Sequence, residues 1–150
     1  MEYLLEQNLF NYLVIHCPDV LIRLQEAGNV SGYLRSKVAG ISPLLDQFLQ
    51  EEYPPPEIET MCTELLISEY RPSKYEYLRN LLQQDFESAY ERLRENGMLT
   101  YEIIGMIRHC TPVFEHFGFS EQTMDDRMLA YAIVERVGDY LTGSSVTDKL

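Results

Sequence analysis

The sequence predicts an all-α fold, a compact single-domain bundle of about seven to eight helices around a long central helix. Three observations predict it. Apolar residues recur at steps of three and four in segment after segment, and no stretch shows the apolar–polar alternation of a strand. Proline, glycine and small polar residues punctuate the chain between those segments. The longest signal is residues 72–97, PSKYEYLRNLLQQDFESAYERLRENG. Ser73 with Glu76 makes a capping box at its start, and Tyr75, Leu78, Leu82, Phe86, Ala89 and Leu93 follow on one stripe. Asn96-Gly97 closes it, glycine being the residue that takes the left-handed conformation without strain. Read as one helix, it is roughly 35 Å long at 1.5 Å per residue.

The other elements follow in order. Leu5, Leu9, Tyr12, Leu13 and His16 share a face, so a first helix runs over residues 3–16 until Cys17-Pro18 stops it. A shorter helix over 19–26 ends at Gly28-Asn29. Ser31 heads a segment with Leu34 and Val38 inward, and Ser42-Pro43 reads as a cap followed by a first-turn proline leading 44–52. Tyr53-Pro54-Pro55-Pro56 is a stiff turn rather than an SH3-type ligand, for it has no basic flank. Behind it Ile58, Met61, Cys62, Leu65 and Leu66 form the next stripe, with Glu57 and Glu59 near the positive end of the helix dipole.

After Gly97, Thr100 is placed as the cap of a helix carrying Ile103, Ile104, Ile107 and Cys110. Thr111-Pro112 repeats the cap-and-proline device and starts a short segment to Gly118. Leu129, Ala132, Ile133, Val137 and Tyr140 line a last helix that Gly143 ends. The domain therefore covers 1–143, with 144–150 a flexible tail. No internal repeat and no low-complexity run stands out.

Composition narrows the function classes. The net charge is −12, with the acidic excess spread through the whole chain. Such a field opposes docking on phosphate backbones and on anionic membranes, and favours a basic protein partner. Cys17, Cys62 and Cys110 are too far apart for a zinc motif and too odd in number for a disulfide framework, which places the protein in the cytoplasm. Residues 1–17 contain Glu2 and Glu6 and no basic n-region, so they do not read as a signal peptide. No run of 18 apolar residues is present to span a membrane.

No constellation of reactive residues emerges. His109, Cys110, Glu115 and His116 are the nearest approach to a metal site, but Pro112 is expected to break the helix between the histidines. The carboxylate pairs Glu51-Glu52, Glu57/Glu59 and Asp125-Asp126 lie at helix ends or in linkers, where a solvated carboxylate is the default. Arg71, Lys74 and Arg79 are interrupted by Glu76 and make a poor recognition helix. Tyr70, Tyr75 and Tyr77 read as packing residues rather than a base-stacking platform. No catalytic, cofactor-binding or metal-binding residue is assigned, and no cofactor is expected.

Four segments together resemble a known family. They are YLVIHCPDV (residues 12–20), LLISEYRPSKYEYLRNLLQQDF (65–86), TPVFEHFGFS (111–120) and AYAIVERVGDYL (130–141). In that order they resemble the domain-of-unknown-function family numbered 1896, small proteins of Bacteroides-group bacteria often encoded within conjugative transposons. The chain departs from that pattern in having Arg71-Pro72 ahead of Ser73. The resemblance implies an all-helical cytoplasmic protein of a mobile element or its host, and brings no activity or functional residue. The expectation is a non-catalytic helical accessory or interaction protein, with homo-oligomers allowed. The alternatives are a small enzyme with a carboxylate-based site, or an acidic decoy for a DNA-binding protein.

Overall fold

In a computed structural model, the backbone is described for residues 1–149 and the side chains for residues 1–143. Nine α-helices and one short 3-10 turn account for the described elements, with no strand among them. They are α1 (Glu2–His16), α2 (Pro18–Glu26), α3 (Val30–Gly40), α4 (Ser42–Gln50), α5 (Pro55–Ile67), the turn Ser68–Tyr70, α6 (Lys74–Asp85), α7 (Glu87–Glu95), α8 (Leu99–Phe117) and α9 (Arg127–Lys149). The all-α expectation holds. The last helix continues past Gly143, where a stop was expected, and the tail expected at 144–150 lies outside the described side chains.

The chain divides into two compact units, Met1–Arg71 and Pro72–Leu150, where the sequence reads as one domain. Each has its own apolar cluster. In the first, α1 packs on α2, α3 and α5, and Leu5, Leu9 and Leu13 are wholly buried against residues such as Val38, Ile58 and Cys62. In the second, α8 packs on α6, α7 and α9, and Leu78, Leu82, Ile103, Met106, Phe114 and Ile133 form the centre. Arg71 is extended at the junction (φ −101°, ψ 141°), and Ser73 then caps α6 by accepting from the Glu76 N–H at 3.1 Å, as the capping box requires.

The long central helix is corrected by the structure. Residues 72–97 hold two helices, α6 and α7, meeting at Phe86 (φ −136°, ψ 52°). The corner keeps its hydrogen bonds: the Phe86 N–H donates to the Leu82 carbonyl and the Phe86 carbonyl accepts from Tyr90, both at 2.9 Å. With so little bonding lost, the bend lets α7 turn a new face inward. Tyr90 and Leu93 are buried there, while Phe86 and Ala89 are only partly covered.

Pro112 is the second correction. It lies inside α8, which runs unbroken from Leu99 to Phe117. Proline removes one backbone donor from the helix, and Thr111 Oγ1 donates to the Ile107 carbonyl at 2.9 Å one turn back. Thr111 is therefore no cap. Thr100 is none either: it sits in the first turn of α8, its hydroxyl 3.1 Å from the Tyr75 phenol.

The two units repeat one plan, where the sequence shows no evident internal repeat. Adding 69 to a residue number of the first unit carries Cys17 onto Phe86 and Gly28 onto Gly97. Cys17 (φ −139°, ψ 55°) joins α1 to α2 just as Phe86 joins α6 to α7. Gly28 (φ 75°) and Gly97 (φ 78°) then turn the chain into the third helix of each unit. The same shift matches Leu9, Asn11, Leu13, Arg23, Leu24, Glu26 and Gly28 to identical residues. It also superposes Ser42-Pro43 on Thr111-Pro112, so that α3 and α4 together correspond to α8. The longer connection before α9 moves the shift to 71, and the buried Ile58, Cys62 and Leu66 fall on Leu129, Ile133 and Val137.

Candidate functional site

The residues singled out in the sequence are not brought together. Among the described residues, no group of three or more His, Cys, Asp or Glu side chains could hold a metal. His109 and His116 do share α8, but Glu115 and His116 are exposed while His109 is half-buried. The three cysteines are free and buried. Burial pushes the Cys110 thiol up to about 11, against a small opposing pull from Arg136, and raises Cys62 as well. A thiol held protonated is a poor nucleophile.

One member of each carboxylate pair has a local hydrogen-bond partner. Glu51 accepts from Gln47 at 3.1 Å, Glu59 accepts from Asn8 at 3.0 Å, and Asp126 accepts the Met128 N–H at 2.7 Å at the start of α9. Arg71 bridges to Glu64 at 3.1 Å. Tyr77 packs edge-on against Phe114 and Phe119, and Lys74 lies 5.4 Å from the centre of the Phe114 ring. These are packing and capping roles.

What the structure does assemble is a polar clamp in each unit. In the second, Tyr140 on α9 donates to Glu102 on α8 at 2.7 Å, and the His109 ring lies 5.7 Å from the Tyr140 ring. Gly105 makes the approach possible: a Cβ there would stand 2.3 Å from the Tyr140 hydroxyl. His109 Nε2 is buried with no hydrogen-bond partner among the described residues. In the first unit, the Tyr70 hydroxyl bonds that of Tyr33 on α3, and Lys37 pairs with Glu69 at 2.8 Å. Tyr33 and Glu102 are equivalent positions of the repeat, and Tyr70 and Tyr140 both stand one turn beyond the last buried residue of the matching stripe.

Both clamp tyrosines are held protonated. Burial raises Tyr70 most, followed by its bond to Tyr33; burial raises Tyr140, followed by its bond to the Glu102 carboxylate. Neither phenol is suited to act as a base near neutrality. Gly105, a glycine inside an apolar helical stripe, was the one sequence signal for the second clamp.

A separate feature lies on the surface of α1. Tyr3, Leu4, Val14 and Ile15 are 72%, 41%, 46% and 62% exposed. With the exposed Gln7 and Asn11 they occupy one face about 120° wide at 100° per residue. That face carries no charge. No helix among the described residues is long and apolar enough to cross a membrane. Compared with known proteins, the chain matches no family model, no curated protein and no solved structure.

Proposed function

We propose that this chain is a non-catalytic helical interaction protein built from two copies of one helical module. The observation that carries the reading is the uncharged α1 face, which exposes two pairs of large apolar side chains on either side of Gln7 and Asn11 in a molecule of net charge −12. Exposed apolar residues standing singly are ordinary, whereas several grouped on one uncharged helix face favour association. The clamps support the non-catalytic half of the reading. A tyrosine clamp that recurs in both units, held at the equivalent positions Tyr33 and Glu102, belongs to the module's frame, and its phenols are kept protonated.

The cytoplasmic assignment rests on three buried free cysteines, and the tie to a mobile element rests on the family resemblance of residues 12–141. The acidic surface elsewhere favours a partner that is basic or that docks through apolar contacts. The test is retention of proteins from a native extract by the immobilised chain, beside a variant with Val14→Gln and Ile15→Gln. Loss of the retained species in the variant is the expected result. Equal retention by both forms would remove the α1 face from the argument.

A further inference from the structure

The geometry points to a second copy of this chain as the occupant of the α1 face, docked with the two α1 helices antiparallel. The inference rests on the interaction reading above and names its partner. Three observations carry it.

The first is self-complementarity. Tyr3 and Leu4 stand at one end of the face, Val14 and Ile15 at the other, and Gln7 and Asn11 between them. On a helical wheel Tyr3 and Ile15 lie at the two edges, and Gln7 and Asn11 flank the midline. The pattern is symmetric about the level of Leu9. Turned end for end against itself, the face sets each Tyr3-Leu4 end on Val14-Ile15 of the second copy and brings the amides of Gln7 and Asn11 together. That is the arrangement of a two-fold interface, in which one patch serves both partners.

The second is charge. Two molecules of net charge −12 repel at most approaches. Glu2, Glu6 and His16, the acidic and basic side chains of α1, all lie off this face, so α1 offers a stripe where no like charges are opposed.

The third is an internal control. The repeat places Asn80, Gln83 and Gln84 of α6 where α1 has Asn11, Val14 and Ile15. All three are exposed on α6, so the C-terminal half of that face is polar in the other unit. The fold therefore does not require apolar residues at positions 14 and 15. A single helix pair is a small interface, at or below the roughly 1,200 Å² that marks the low end of stable complexes, so dimerisation is expected to depend on concentration in the micromolar range.

The test uses the full chain in sedimentation velocity across a concentration series, with circular dichroism to verify folding. Wild type is expected to pass from monomer to dimer. Val14→Gln with Ile15→Gln, which copies the residues of α6, should weaken the dimer at least tenfold and leave the helical spectrum unchanged. Leu4→Lys alone and Ile15→Glu alone should each weaken it likewise. Both together in one chain should restore it, because the antiparallel register sets the introduced ammonium against the introduced carboxylate twice over. A wild-type dimer with no such rescue would overturn the antiparallel register. A wild-type monomer at every concentration would overturn the second copy as occupant; extract proteins still retained through Val14 and Ile15 would then leave the interaction reading standing.

Discussion

Gly105 shows how much a single missing methyl can decide. Tyr140 reaches Glu102 by crossing the backbone of α8 at the one position where no side chain stands in the way. Because the Glu102 carboxylate anchors the hydroxyl, the ring is not free to swing aside when a Cβ is added. Gly105→Ala gains up to about 1 kcal/mol of helix propensity and meets an overpacking penalty of about 1–3 kcal/mol, so a net loss is expected. Tyr140→Phe removes the hydroxyl that a Cβ would strike at 2.3 Å and leaves the ring carbon at 3.1 Å. The loss from Gly105→Ala should therefore shrink in the Tyr140→Phe background, and urea denaturation of the four proteins measures the coupling. Additive losses would mean that the close approach is not what Gly105 is for. The clamp was hardly legible in the sequence, since Glu102, His109 and Tyr140 only become neighbours when α8 and α9 pack; the glycine alone hinted at it.

At the scale of elements, the sequence signals worked where a terminus needs special chemistry. Ser73 caps α6, Gly97 turns the chain after α7, and Pro18 follows the corner at Cys17. They failed where the backbone turns without such a residue. Phe86-Glu87-Ser88 has neither proline nor glycine, yet the chain bends there because tertiary packing favours a new face of α7. Pro112 misled in the opposite sense, its lost donor being tolerated inside a well-packed helix. The repeat is faint in the sequence because burial, rather than identity, is what matched positions such as Leu21 and Tyr90 share. It makes a quantitative prediction. Leu13 and Leu82 are equivalent and both wholly buried, so Leu13→Ala and Leu82→Ala should each cost about 2–5 kcal/mol in chemical denaturation. Phe86→Ala should cost less than Leu82→Ala because that ring is only partly covered. A loss below about 1 kcal/mol at Leu13 or Leu82 would place that side chain at the surface and break the match.

For the molecule as a whole, the tyrosines and cysteines set an alkaline limit. Tyr12, Tyr70, Tyr77 and Tyr140 are all raised above the ordinary tyrosine value of 10.0, burial being the largest cause in each, and Cys110 is raised from 9.0 to about 11. In the unfolded chain these groups release protons from about pH 9 upward, while the folded chain keeps them. The unfolded state then binds fewer protons, so stability is fully present below pH 9 and falls as the pH rises toward the folded values. Each ionisation also adds a negative charge to a chain already at −12, which opposes the compact state further. The urea midpoint should accordingly be flat from pH 7 to 8.5 and fall steadily by pH 10.5. Tyr140→Phe isolates one contributor: it loses the bond to Glu102 at neutral pH but also removes a group that titrates only on unfolding. Its deficit relative to wild type should therefore narrow as the pH rises from 8 to 11. A deficit that stayed constant across that range would show that Tyr140 ionises equally in both states, and the clamp would then not be what holds its proton.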